Sequence, residues 1–528
     1  MRYGPRMTPG DESADSVALA RLVTQYFPQP SDTETHIADS QWLPLVDGES
    51  YYAEIDAQLG KAGPGDTILA AGLEIIPHLD LRGRAPEHSD YTPLGRQFAE
   101  AAARGVDVRL LFAGRVFPSS LPRSGLPFRD NAFHADHLRE LRVNGSDEPP
   151  LRGRVLIDFS GALLGSNHQK TVVTHIGGEL TSYVSGIDLA DHRWDAAPHD
   201  RLELDDARWG WHDMAVRLRG PAAQRVWDIF RERWQETLTL PHEHWLAGPT
   251  DRRRLNPPGA LPAPAPAPVA EPVDAAGVAV RVLRSTFHRK IDSHLPFRRR
   301  AWDLVPPGGH QEIFTTLTTA IGAARRYIYL EDQYLEESVG GNRRFELYPH
   351  LCAAAARGVK VILVGSGTRD PEDVDFGGLD INREVNDDLQ TKLVDPLRPA
   401  ERSNVAVHRI ENCTVHAKLF LIDDRFANIG SANMFSRSMC GADSEMSAAV
   451  VTTTSLVRDL RIAVWGEHLR TELTEPVRDA LGDLDLALGI WRAQWLPDGV
   501  SRTTWQQSGS PVGFAPAERA LTLVGPHL

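Results

Sequence analysis

The 528-residue sequence lacks several features that would place it in a specialised class of protein. Its three cysteines, Cys352, Cys413 and Cys440, form no CxxC pair, so neither a disulfide framework nor a zinc knuckle is expected. No stretch approaches the roughly 18 continuous apolar residues of a transmembrane helix. The N-terminus has no apolar core of the kind found in signal peptides. These absences predict a cytoplasmic protein whose contact with a membrane would be peripheral.

The sequence also has fewer positively than negatively charged residues. The chain has 57 Lys and Arg against 71 Asp and Glu, for a formal net charge of −14. Nonspecific binding to a polyanion depends on neutralising many phosphates, so no nucleic-acid partner is expected, although a local basic cleft is compatible with this balance. The 41% hydrophobic and 24% charged residues are ordinary for a globular protein. The composition by itself gives no oligomeric signal, and we expect a monomer.

A Pro- and Ala-rich segment marks the clearest boundary in the chain. Residues 255–274 alternate Pro and Ala, which favours an extended polyproline II conformation that buries little surface. We therefore predict an N-terminal tail or arm across the first domain (1–40, with a short helix at 17–26), a first domain (41–254), a linker (255–274) and a second domain (275–528).

The two predicted domains share a pattern. The string AAARGV occurs at 101–106 and again at 354–359, each time at the end of a helical pattern and before an apolar run, VDVRLLF or VKVILVG. Such runs are typical of strands that are covered on both faces. The Gly after each Arg fits a helix C-terminal cap. The repeat indicates an internal duplication and an α/β fold with two similar domains, each a mixed β-sheet flanked by helices.

A His-x-Lys motif occurs once in each half. The second copy, His416 and Lys418, belongs to VHAKLFLID and is followed by Gly-Ser-Ala-Asn at 430–433. On a strand, residues two apart point to the same face, so an imidazole and an ammonium would project together, as a phosphate site requires. The first copy is His168 and Lys170. One such pair would usually be a solvated strand face, but two at equivalent points of a duplication favour a shared active site.

These motifs resemble the signature of the phospholipase D superfamily, H-x-K-x4-D followed by G-S/G-x-N. The segments SGIDLADHRWD, WHDMAVRLRGPAAQRVWDIFRERW and RRYIYLEDQYL are also similar to the lipid-type enzymes of that family, so the resemblance covers roughly residues 45–475. One position departs from the signature, because His175 stands where the first motif has Asp. The resemblance implies a pseudo-twofold axis that brings both histidines to one phosphate.

The resemblance also implies residue roles. His168 would be the nucleophile that forms a phosphohistidine, and His416 the general acid and base. The phosphate would be neutralised by Lys170 and Lys418 and would receive hydrogen bonds from Ser185, Ser431 and Asn433. Asp195 and Glu445, at similar distances after their motifs, would orient the histidines. The remaining acids, Asp423 and Asp188, would be structural supports.

No metal or cofactor is expected, since side chains supply both the charge and the nucleophile. His175, His192 and His212 fit no zinc spacing and are expected as polar residues of the cleft wall. Three functions stay open: a phospholipase D-type enzyme that hydrolyses a glycerophospholipid or exchanges its head group, a phosphodiesterase or nuclease on a non-lipid substrate, and a catalytically impaired phospholipid-binding protein, which His175 would explain.

Overall fold

The chain folds as a mixed α/β protein built on two large mixed β-sheets. The computed structural model describes residues 14–31, 33–114, 128–144, 146–158, 166–199, 210–239, 259–286, 309–335, 343–366, 389–410, 413–492 and 500–502. Among these residues, no helix combines the length and the apolar character that crossing a bilayer demands.

The first sheet has seven strands in the order β2-β9-β7-β6-β3-β4-β5. Its strands are β2 (Gln41–Val46), β3 (Thr67–Gly72), β4 (Asp107–Ala113), β5 (Val155–Asp158), β6 (Lys170–Ile176), β7 (Glu179–Ser185) and β9 (Met214–Arg219). The helices of this half are α2 (Asp47–Lys61), α3 (Leu94–Ala103), α4 (Phe128–Glu140) and α5 (Pro221–Thr239). A short β8 (Gly210–His212) stands outside this sheet and pairs in parallel with β15 (Cys413–Val415) of the second half.

The second sheet follows the path β1-β10-β18-β17-β16-β12-β13-β14-β19, with β11 pairing β10. Its strands are β1 (His36–Ile37), β10 (Val278–Thr286), β11 (His310–Gln311), β12 (Tyr327–Glu331), β13 (Lys360–Ser366), β14 (Val405–Ile410), β16 (Leu419–Ile422), β17 (Phe426–Gly430), β18 (Glu445–Thr452) and β19 (Val500–Arg502). The accompanying helices are α1 (Ala14–Tyr26), α6 (Glu312–Ala323), α7 (Tyr348–Ala356), α8 (Pro399–Arg402), α9 (Ser436–Cys440), α10 (Leu456–His468), α11 (Glu475–Gly482) and α12 (Leu484–Arg492).

The two sheets repeat the same pairings. In the first sheet β3 pairs β4 in parallel and β6 antiparallel, and β6 then pairs β7 antiparallel. In the second sheet β12 has the same relations to β13 and β16, and β16 to β17. The predicted helix–strand repeats are confirmed as α3–β4 and α7–β13, each joined through a glycine with positive φ, Gly105 (94°) and Gly358 (91°). A pseudo-twofold axis stays a prediction.

The sheets bury one face against a common core. One apolar cluster combines Val173 and Val216 of the first sheet with Val282 and Ala448 of the second, and includes α5. The indole of Trp42 on β2 donates a 3.2 Å hydrogen bond to the carbonyl of Ala448 on β18. The outer faces are covered by separate helix layers. Because both halves share this core, side chains at the sheet edges can meet between them.

The N-terminal segment and the linker differ from their predictions in one respect each. The predicted helix is confirmed as α1, but it packs on the second half, where Tyr26 donates to Asp423, rather than across the first. The linker, described from residue 259, forms neither helix nor strand there, and it is bound to the first half: its carbonyls accept hydrogen bonds from Trp227 and Trp234. The domain boundaries themselves stay a prediction.

Candidate active site

The two His-x-Lys motifs stand at the entrances of strands rather than inside them, which corrects the expected placement. His168 precedes β6, which begins at Lys170, and His416 and Lys418 lie between β15 and β16. The Lys170 ammonium donates a 3.1 Å hydrogen bond to the carbonyl of His168, two residues earlier. The Lys418 ammonium donates to the carbonyl of His416 in the same way. The backbone is therefore extended in both motifs, and each lysine is tied to the segment that carries its histidine.

The His168 ring is oriented by residues of the second half. Its Nδ1 lies 3.0 Å from Glu445 Oε2 and 3.0 Å from the backbone oxygen of Ser431. A carbonyl oxygen can only accept, so Nδ1 must carry the proton. In the neutral ring Nε2 then has the free lone pair, which is the state that a nucleophile requires.

The His416 ring is oriented by a residue of the first half that the sequence analysis did not select. Its Nδ1 lies 2.6 Å from Asp213 Oδ2, and Asp213 Oδ1 accepts the Met214 amide at 2.8 Å. Burial raises the pKa of Asp213. Both motif histidines thus have a carboxylate on Nδ1, as in a catalytic triad.

The backbone joins the motifs in the same reciprocal way. The amide of His168 donates to Ser444 of the second half at 2.9 Å, and the amide of His416 donates to His212 of the first half at 2.8 Å. Strand registers place Asp213 and Glu445 at equivalent positions, since Ala215 pairs with Ser185 and Ser447 with Gly430. Each half therefore supplies the orienting carboxylate of the other half's histidine.

The positive charges of both halves act on one another. Lys170 Nζ lies 3.2 Å from Asp188 Oδ2, and both side chains are buried. Burial, together with the charge of Lys170, lowers the pKa of Lys418 to about 8, although Asp213 and Asp332 act in the opposite direction. Burial also raises the pKa of Asp332 to about 6. Two ammonium groups whose charges act on one another favour the binding of an anion at the site.

The pKa of His416 is also affected by charged residues of both halves. Burial holds the pKa of His416 well below its ordinary value, and the charges of Lys418, Arg193, Lys170 and His168 lower it further. The centroid of the His416 ring lies 4.8 Å from that of Trp211, with the two planes tilted by 38°, and the Arg193 guanidinium lies 3.6 Å from the centroid of the Trp211 ring. The His168 side chain is 13% exposed and that of His416 7%, so solvent reaches this site only narrowly.

Three predicted residues are placed differently from their expected roles. Asp195 orients neither motif histidine: its carboxylate accepts the Trp211 amide and lies 2.8 Å from His199 Nδ1. Ser185 is fully buried and closes its own turn by accepting the Ile187 amide at 2.7 Å, so it does not face a phosphate. The Ser431 hydroxyl donates to Glu445 at 2.5 Å and accepts the Met446 amide, so it supports the carboxylate.

The other predicted residues lie at the site or support it. Asn433 is buried, and its Oδ1 has no hydrogen-bond partner among the described residues. Asp188 accepts the Glu74 amide at 3.0 Å besides its ion pair with Lys170. Asp423 accepts the amides of residues 325–327 and so holds the start of β12.

The departure at His175 has a structural explanation. At the corresponding turn of the first half, Asp66 takes up the carboxylate role, because it accepts the amides of Gly63 (2.8 Å) and Gly177 (3.0 Å). The carboxylate thus comes from the segment before β3 instead of from the β6–β7 hairpin. His175 stands on β6 opposite Thr67 and is half-buried. The substitution leaves the turn supported.

Comparison with known proteins agrees with this geometry. A protein-family model described as "Cardiolipin synthase, PLD-like domain" matches residues 317–461. Phospholipase D alpha 3 of Arabidopsis thaliana is 23% identical over 76% of this chain and 62% of its own length. Phospholipase D alpha 1 of Oryza sativa subsp. japonica is 25% identical over 83% of this chain and 66% of its own length. The chain spans less than two thirds of the length of each plant relative.

A solved structure shares the fold. The phosphatidylserine synthase of Haemophilus influenzae Rd KW20 aligns with a TM-score of 0.51 and 12% identity, over 90% of this chain and 98% of its own. The sequence relatives, this fold and the two His-x-Lys motifs with their reciprocal carboxylates agree: residues 317–461 match a phospholipase D-like domain model, and most of the chain is similar to proteins of the phospholipase D superfamily.

Proposed function

We propose that this protein is a phospholipase D-type phosphodiesterase that cleaves the head-group phosphodiester of a glycerophospholipid, or exchanges the head group, through a phosphohistidine. The observation that carries the proposal is the reciprocal orientation of His168 by Glu445 and His416 by Asp213, beside two buried lysines. Two oriented imidazoles and two cations are the groups that a two-step displacement at phosphorus needs.

In the first step, His168 attacks the phosphate. Its Nε2 lone pair forms a bond to phosphorus, while the bond from phosphorus to the head-group oxygen breaks. The departing oxygen takes the Nε2 proton of His416 in its imidazolium form, which the neighbouring phosphate anion and Asp213 favour over the neutral ring. Because His168 keeps its Nδ1 proton, the phosphorylated ring is cationic, and Glu445 stabilises it. Lys170 and Lys418 offset the charge on the phosphate oxygens.

In the second step, the phosphohistidine is released. His416 removes a proton from water or from an alcohol, the resulting oxygen attacks phosphorus, and the bond to His168 Nε2 breaks. Water gives phosphatidic acid, and an alcohol gives a new phosphodiester. Transfer to an alcohol is favoured as a second activity by the synthase names of the matching family model and of the solved structure.

The roles of the two histidines can be distinguished by a substrate whose leaving group needs no proton. p-Nitrophenolate leaves without a proton, so the acid is needed only for a poor leaving group. With phosphatidyl-p-nitrophenol, we expect His416→Ala to release one burst equivalent of nitrophenolate and to accumulate phosphoenzyme. His168→Ala should give no burst. The reverse result would exchange the roles, and a burst from neither variant, although both are folded, would reject a phosphohistidine mechanism.

The substrate class is tested on the unmodified protein. Phosphatidylcholine vesicles and single-stranded DNA are supplied in parallel, and choline release and strand cleavage are measured. We expect turnover of the lipid alone, with ethanol in the lipid assay diverting product to phosphatidylethanol. Cleavage of DNA alone would establish the non-lipid alternative. Vesicle binding without turnover would establish the binding protein.

A further inference from the structure

A second buried cluster lies next to the orienting residue Asp213 and plays no part in the proposed chemistry. It joins Asp47 at the start of α2, His199, His212 at the end of β8, and Glu467 on α10, with one donor atom of each within 4.8 Å of the others. We infer that these four side chains form a binding site for one divalent transition-metal ion. The inference is independent of the proposed function.

The donor atoms of the cluster lie close enough together to share one ion. His212 Nδ1 lies 2.6 Å from Glu467 Oε1 and 3.2 Å from Asp47 Oδ1, and His199 Nε2 lies 3.0 Å from Glu467 Oε1. Nevertheless His212 Nδ1 and Asp47 Oδ1 make no hydrogen bond among the described residues, although both atoms are buried. This nitrogen therefore lies close to two carboxylates without a hydrogen bond of good geometry to either.

The other nitrogen of each imidazole is held by a further carboxylate. His199 Nδ1 lies 2.8 Å from Asp195 Oδ2, and His212 Nε2 lies 3.0 Å from Glu331 Oε2. Histidines that bind a metal almost always donate their remaining N–H to a carboxylate, a carbonyl or water, which fixes the ring and raises its basicity. Both histidines of the cluster have this arrangement. It also gives a role to Asp195, which does not serve the motif histidines.

The backbone adds an independent observation. Asp47 (φ 62°) and His199 (φ 64°) adopt the left-handed region that non-glycine residues rarely enter. Such conformations concentrate at functional sites, where the surroundings hold them. Two of the four ligands are thus presented by strained residues, and neither residue is exposed.

The donor set indicates the class of ion and its role. Two imidazoles with two carboxylates suit zinc and, as alternatives, manganese or iron(II). Four protein ligands without an open position are typical of a structural ion. Here the ion would join α2 and β8 of the first half to α10 of the second. Because Asp213 follows His212 directly, the ion would also fix the carboxylate that orients His416.

The metal content of the protein tests the inference. The full chain is produced without a histidine tag in metal-supplemented medium, dialysed, and analysed by mass spectrometry for zinc, manganese and iron. We expect about one equivalent of zinc per chain, as for a closed four-ligand site. His199→Gln and Glu467→Gln should each lose the ion. His36→Gln is the matched control, because His36 is a buried histidine on β1, which pairs with β10, and it lies outside the cluster.

A second measurement does not depend on the variants folding. Dialysis of the unmodified protein against a chelator should lower its Tm by about 5 °C or more, and zinc but not magnesium should restore it. Metal below about one tenth of an equivalent, together with a Tm that neither chelator nor zinc changes, would overturn the inference and leave a buried network of shared protons. Metal loss in His36→Gln but not in His199→Gln would overturn the assignment of the ligands.

Discussion

The two orienting carboxylates differ in how they are held. Glu445 is fixed by the hydroxyls of Ser431 (2.5 Å) and Ser438 (2.7 Å), which can rotate. Asp213 is fixed by the backbone amide of Met214, which cannot. The position equivalent to Ser431 in the first half is Gly186, where a Cβ atom would lie only 2.2 Å from Asp213 Oδ1. The shorter acid therefore occupies the space that the second half gives to a serine.

Two halves with the same strand pairings can therefore place equivalent carboxylates with different hydrogen-bond donors. The second half holds a longer acid with side-chain hydroxyls, and the first half holds a shorter acid against the main chain. The equal spacing of the motifs does not extend to these supports. The halves should consequently respond differently to the same chemical substitution, although we expect both histidines to be essential.

The largest expected effect is the loss of either histidine. His168→Ala and His416→Ala should each lower kcat for phosphatidylcholine by about 10⁴-fold or more, because removing a nucleophile or its acid–base partner abolishes a step. Choline release measures the rate, and His175→Ala, outside the site, is the control and should stay within about three-fold. A variant of either motif histidine with near-normal turnover would remove that residue from the mechanism.

The next effect distinguishes the two carboxylates directly. In Asp213→Asn the Met214 amide keeps the side-chain oxygen, so the NH₂ group must face His416 Nδ1 and impose the wrong tautomer. We expect a loss of about 10⁴-fold in kcat, as for an amide in a catalytic triad.

In Glu445→Gln the serine hydroxyls can rotate to accept the NH₂ group, and the Ser431 carbonyl still accepts from His168. The loss should therefore be smaller, about 10²-fold. Equal losses of kcat in the two variants would show that the rotating hydroxyls do not compensate for the amide. The difference between the supports of Glu445 and Asp213 would then have no effect on catalysis.

Local patterns were sufficient to predict much of the fold. The strands β3, β4, β12 and β13 and the helices α3 and α7 follow from apolar runs and helical periodicity, which neighbouring residues determine. The contact of α1 with the second half, however, depends on which apolar surface is left uncovered once the sheets have formed. No short-range pattern contains that information.

The residues of the candidate site can be predicted from the sequence where the two halves carry the same motif at the same spacing. Both His-x-Lys motifs and Glu445 were identified from sequence, whereas Asp195 was chosen in place of Asp213. The choice assumed equal distances along the two halves, but the first half has a much longer connection between Ser185 and Asp213 than the second has between Gly430 and Glu445. The matching dipeptides Asp213-Met214 and Glu445-Met446, each entering a strand, were the available signal.

The pH profile tests whether the two lysines share one site. The pKa of Lys418 is lowered to about 8, so its charge is lost as the pH rises through this value. Since kcat/KM follows ionisations of the free enzyme, it should fall on the alkaline side with an apparent pKa near 8, well below that of an ordinary lysine. The residual activity of Lys418→Arg should lack this limb. An unchanged limb in Lys418→Arg would assign the ionisation to another group.

The smallest expected effect concerns one supporting hydroxyl. Ser438→Ala removes the 2.7 Å hydrogen bond to Glu445 Oε1 but leaves Ser431 on the other oxygen, so Glu445 remains in place with one partner fewer. A lost hydrogen bond of about 1 kcal/mol corresponds to roughly five-fold in kcat. Ser185→Ala is the matched control: it removes a turn hydroxyl of the first half that touches neither carboxylate, so kcat should not change. If Ser185→Ala instead raised KM, the Ser185 hydroxyl would contact the phosphate. If Ser438→Ala had no effect on kcat, the hydroxyl groups that hold Glu445 would not contribute to catalysis.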